Sequence, residues 1–61
     1  MNNVKVGSVI DIPISKKETW KGVIERIDDT VDPRLKYKVS FIGRNIVMFF
    51  SEQMIRRCVG N

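Results

Sequence analysis

The one tryptophan of the chain, Trp20, stands beside Lys21 and two residues from Gly22 in the stretch Thr19-Trp20-Lys21-Gly22-Val23-Ile24. A flat indole next to a cation can hold a nucleic-acid base against its phosphate, and the same ring can equally serve as packing at the rim of a small β-fold. Lys36 and Lys38 follow at a spacing of two, which puts both on one face of a strand. With Arg44 and Arg56 they make up a candidate nucleic-acid-binding set of Trp20, Lys21, Lys36, Lys38, Arg44 and Arg56. Cations there would neutralise phosphates and the indole would stack on a base; no base-reading motif is present, so selectivity for sequence would be weak.

Covalent and acid–base chemistry lack their parts. The chain has no His and a single Cys, Cys58, so neither a nucleophile–base pair nor the usual structural zinc set can be assembled. Asp28, Asp29 and Asp32 cluster in a turn-rich stretch, where solvated turn residues are the plain explanation. No catalytic residue, metal, cofactor or small-molecule substrate is expected, and Cys58 reads as a reduced thiol near the end of a strand.

Residues 1–32 hold five basic and six acidic side chains, whereas residues 33–61 hold six basic and one acidic, Glu52. The net charge of +4 therefore belongs to the second half, an asymmetry that favours a polyanionic partner such as DNA or RNA. Sixty-one residues read as one domain, 1–61, with a small core. No stretch has the run of about 18 apolar residues that a membrane helix needs, and the first residues do not read as a signal peptide; the expected compartment is a reducing cytoplasm.

The residues that must position these groups read as strands. Leu35, Tyr37, Val39 and Phe41 alternate with Lys36, Lys38 and Ser40, the pattern of a half-buried strand. In Trp20–Ile27 the positions Gly22, Ile24 and Ile27 call for one face, and their uneven spacing predicts a β-bulge near Glu25 and Arg26. Val6–Ile12 is a first strand brought to an end by Pro13, Asp28–Pro33 a turn-rich connection, Ile42–Asn45 a tight hairpin turn, and Asn45–Phe50 a fourth strand. Ser51 is placed to cap one helical turn before a short last strand, Ile55–Val59. The fold class predicted is all-β: a five-stranded small barrel with one short helical turn before the last strand.

Gly7-x-x-Ile10, Trp20-x-Gly22-x-Ile24-x-x-Ile27, Tyr37-x-Val39-x-Phe41 and Ile55-Arg56-Arg57 together resemble SH3-like barrels of the Tudor and KOW kind, over roughly residues 4–58. Trp20-Lys21-Gly22 with a basic final strand is also similar to the DNA-binding C-terminal domain of retroviral integrases. Trp-x-Gly-x-Ile with Tyr-x-Val looks like the plasmid-encoded type II dihydrofolate reductases, whose fourth strand supplies a Val-Gln-Ile-Tyr stretch; the matching residues here, Asn45–Phe50, hold neither Gln nor Tyr. A Tudor-type resemblance would imply an aromatic cage for a methylated cation, with Trp20 as one wall and Phe41 or Phe49 as another. Lys21 beside Trp20 would repel such a cation.

The fourth strand carries apolar side chains on both faces, so Val47 and Phe49 are turned outward if Ile46, Met48 and Phe50 fill the core, or the reverse. Val47 and Phe49 are accordingly the candidate protein interface, for a partner protein or for a homodimer. The alternative is that the loop Ile14–Glu18 folds over them. The expectation is thus a non-enzymatic nucleic-acid-binding module, or else a protein-interaction or self-associating adaptor of a size that viral and mobile genomes carry.

Overall fold

The computed structural model describes residues 4–59. Four strands, β1 (Val9–Pro13), β2 (Thr19–Ile27), β3 (Tyr37–Phe41) and β4 (Val47–Phe50), pair antiparallel in sequence order as one open sheet. A short helix, α1 (Glu52–Cys58), follows. The five-stranded barrel is corrected by this: the sheet does not close, and the segment expected as the last strand is helical.

Alternation builds a single apolar face. Ile10, Ile12, Ile24, Tyr37, Val39, Phe41 and Phe50 are buried on it, and Ile55 from α1 completes the cluster. In β2 the ladder shifts by one residue between Ile24, opposite Val39, and Arg26, opposite Lys38. That bulge at Glu25 returns Ile27 to the face of Ile24 and turns Arg26 away from it.

Ser51 caps α1 by accepting a hydrogen bond from the Met54 N–H at 3.2 Å, and Glu52 in the first turn with Arg56 and Arg57 in the last both suit the helix dipole. The helical turn read from the sequence therefore continues through Cys58, because Ile55 and Cys58, three residues apart, both reach the core. Helix α1 packs beside β1. Cys58 lies on this helix, half-buried, and burial pushes its thiol up from the usual range.

Two connections correct the strand limits. Pro33–Leu35 forms a 3-10 turn capped by Asp32, which accepts from the Arg34 N–H at 2.9 Å; Leu35 is exposed there and Lys36 lies outside β3. Between β3 and β4, the Arg44 N–H donates to Phe41 C=O at 3.2 Å while Gly43 takes φ +77°, a left-handed turn position that favours glycine. The first loop is closed by Ser15, whose hydroxyl accepts from the N–H groups of Lys17 and Glu18. It does not cover β4, where Val47 and Phe49 remain exposed.

Candidate nucleic-acid interface

Neighbouring residues on a strand point to opposite faces, and this separates Trp20 from Lys21. Trp20, opposite Ile12, lies on the apolar face at its rim. Its ring meets Phe41 edge-on at 5.3 Å between centroids, and the Arg44 guanidinium lies 3.8 Å from the ring centre. The indole is thus packed on one side and covered by a cation on another, and its buried Nε1 makes no hydrogen bond among the described residues. Arg44 takes the place over the ring where a base would stack.

Lys21 projects from the outer face, where its Nζ meets Asp11 Oδ1 at 2.9 Å, directly across the β1–β2 ladder. The cage implied by the Tudor resemblance is not assembled: Phe41 is buried, and Phe49 belongs to the face opposite Trp20.

Lys36 and Lys38 separate as well. The 3-10 turn places Lys36 at the far end of the sheet from Trp20, with Nζ 2.8 Å from Glu52 Oε1 and 3.0 Å from Asp29 Oδ1. The hydrogen bond from Lys36 to Glu52, and then that to Asp29, raises the Lys36 pKa above its usual range, and the same contact with Lys36 lowers that of Glu52. Arg56, expected on a closing strand, is instead on α1 and pairs with the other Glu52 oxygen at 2.6 Å. Lys36 thereby fastens α1 to the β2–β3 connection, while the Arg56 pair lies within α1 itself.

Lys38 remains on the outer face, and the ladder gives it two informative neighbours. Arg26 lies directly opposite it on β2 and Phe49 directly opposite it on β4, so cation, cation and aromatic form one cross-strand row. Neither Arg26 nor Lys38 makes an ion pair among the described residues, and Phe49 is 43% exposed. Like charges directly opposite each other destabilise a sheet. Next to this row lies a mostly apolar one, Val9, Val23, Ser40 and Val47 in register, with Val9 and Val47 exposed. The outer face is therefore a shallow surface of mixed cationic and apolar character.

Of the six candidates, Trp20 and Arg44 touch at one end, Lys36 and Arg56 meet at Glu52 at the other, and Lys21 and Lys38 occupy the outer face. Sequence reasoning misses Arg26. The signal that could find it is the bulge itself, since one extra residue after Ile24 moves Arg26 from the core side to the side of Lys38. Comparison of the chain with protein-family models, with curated proteins and with solved structures finds no match.

Proposed function

We propose that this chain is a small non-enzymatic module that binds DNA or RNA across the outer face of its sheet, with weak sequence selectivity. We further propose that its architecture is SH3-like, with α1 standing where a fifth strand would close the barrel. The observation that carries the functional reading is the row Arg26–Lys38–Phe49. Two cations set opposite each other on the ladder, with Asp28 acting on Arg26 only as a longer-range charge, destabilise the sheet. An anion on that face would relieve them, and an exposed aromatic next in the row offers a base its stacking partner. Lys21 extends the same face toward the Ile42–Asn45 turn.

Single strands suit this surface better than duplex, because their bases are free to stack on Phe49 while the phosphates follow Lys38 and Arg26. Fluorescence anisotropy with single- and double-stranded oligonucleotides over a range of salt tests it. Affinity is expected to fall steeply with salt, and Lys38→Ala or Arg26→Ala should each flatten the slope by about 0.7 per lost phosphate contact on a single strand. Phe49→Ala should weaken binding by about 1–3 kcal/mol with the slope unchanged, since stacking releases no counterions. Absence of binding at low salt would end the proposal.

A further inference from the structure

The two edges of the open sheet differ in a way that points to a second copy of the chain. On β4 the Phe41 N–H donates to the Ile46 C=O, so hydrogen-bonded and non-hydrogen-bonded pairs alternate from there: Met48 and Phe50 bond toward β3, while the N–H and C=O groups of Val47 and Phe49 point to the open edge. Apart from the ladder, neither residue makes a backbone hydrogen bond among the described residues. The 3-10 turn packs beside β4, yet Val47, Met48 and Phe49 are 48, 43 and 43% exposed.

The same alternation on β1 is fixed by the Ile14 N–H donating to Glu18 C=O, which leaves Val9, Asp11 and Pro13 facing outward. There a proline offers no N–H and an aspartate brings a charge, the devices that blunt an edge. On β4 neither device is present: the strand is uncharged, apolar on both faces and open.

We infer that β4 pairs antiparallel with β4 of a second copy about a two-fold axis at Met48, giving one continuous eight-stranded sheet. In this register Val47 exchanges both backbone hydrogen bonds with Phe49 of the second copy, and Phe49 does the same with its Val47. The apolar side chains become cross-strand neighbours on both faces. Because β4 has no charged residue, the two-fold pairing sets no like charges opposite one another. Lys38 and its counterpart are separated by three strand spacings, roughly 14 Å, which exceeds the screening length of about 8 Å at physiological salt. The blunted β1 edge stops the sheet from growing further, so assembly closes at two copies. The dimer leaves Arg26 and Lys38 open on the outer face and does not rest on nucleic-acid binding, although both proposals use Phe49, which the dimer sets beside Val47 of the second copy.

Sedimentation equilibrium of the intact chain from micromolar to millimolar concentration tests this. The weight-average mass should rise from 7.1 kDa toward twice that value. Val47→Pro removes an edge-facing N–H without removing any β3–β4 bond, and should hold the protein at the single mass with its far-ultraviolet circular dichroism unchanged. Should proline unfold the chain, Val47→Lys introduces the missing edge charge and should likewise keep it monomeric. In a Cys58→Ser background, Met48→Cys should cross-link on mild oxidation, because the axis brings the two Met48 positions together as a close non-hydrogen-bonded pair; Val47→Cys should not. A wild-type chain that stays monomeric at millimolar concentration overturns the inference and leaves the edge to a strand of another protein. A dimer insensitive to both Val47 variants, or a Met48→Cys dimer that does not cross-link, overturns it too.

Discussion

A side chain at position 22 has nowhere to go, and Gly22→Ala measures how tightly the two central strands are packed. A Cβ there would stand 2.5 Å from Val39 Cγ1, 3.2 Å from Ile12 Cδ1 and 3.6 Å from Phe41 Cδ1. Ile12 meets it with the far end of a long side chain and can yield. Val39 cannot: it is 0% exposed, and its β-branched side chain has few rotamers. Overpacking of this kind costs about 1–3 kcal/mol, against a gain of about 0.4–1 kcal/mol from restricting the unfolded chain. The net expectation is a loss of about 1–2 kcal/mol, or roughly 4–16 °C in Tm for a domain of this size.

Thermal unfolding followed by circular dichroism gives the single value, and a double-mutant cycle identifies its cause. Val39→Ala removes the obstructing methyl and should destabilise by itself through the cavity it leaves. In the double variant the methyl added at position 22 partly fills that cavity, so the two effects should fall short of their sum by about 1 kcal/mol or more. Strict additivity, within about 0.5 kcal/mol, or a Gly22→Ala variant as stable as the wild type, would refute the close approach of β2 and β3 at this point.

Trp20→Ala should cost about 3–5 kcal/mol and bring the protein near unfolding at room temperature, because Phe41 and Arg44 pack on the ring; an unchanged Tm in calorimetry would show that the indole is a free platform. Acid should destabilise the fold from about pH 4 downward: the Arg34 side chain, then the Arg34 N–H, holds the Asp32 carboxyl at about 2, Thr30 lowers Asp28, and Lys36 lowers Glu52. Carboxylates with depressed folded values stabilise above their unfolded pKa and lose that contribution as the pH falls through the folded one. Lys36, raised by Glu52, works in the opposite sense, stabilising at neutral pH and losing its contribution as the pH climbs past the ordinary lysine value of 10.5. Urea titrations across pH should therefore show a plateau near neutrality, and Glu52→Gln should weaken the alkaline fall.

The parts of this fold legible in the sequence are those where one local rule decides. Alternation alone places Tyr37, Val39 and Phe41 in the core, and the uneven spacing of Gly22, Ile24 and Ile27 reveals the bulge. Where two rules compete, the reading fails. Ile55–Val59 reads as a short strand after one helical turn, but the Ser51 cap begins a helix whose next turn is retained because Ile55 and Cys58 face the core together. Leu35 and Lys36 extend the alternation of β3 without a fault, yet Asp32-Pro33 starts a 3-10 turn that takes both out of the strand. Ion pairing is less accessible still: the i,i+4 spacing of Glu52 and Arg56 signals a pair only once the segment is read as a helix, and nothing in the sequence announces that Lys36 joins the same carboxylate.

The helix that follows β4 has a consequence for assembly. A fifth strand would occupy an edge of the sheet; α1 instead packs beside β1 and leaves β1 and β4 as edges. If β4 is the self-pairing edge, the protection of β1 is what keeps pairing from becoming open-ended, since a second sticky edge would allow head-to-tail growth. Asp11→Val with Pro13→Val supplies the missing N–H and removes the charge, at the cost of the exposed Asp11–Lys21 pair, which contributes little. The double variant should then form species larger than a dimer, visible as scattering that rises with time and concentration, and adding Val47→Pro should suppress them by closing the other edge. A double variant that sediments like the wild type would show that α1, and not Asp11 and Pro13, shields β1; deletion of the helix cap by Ser51→Ala would then be the change that exposes it.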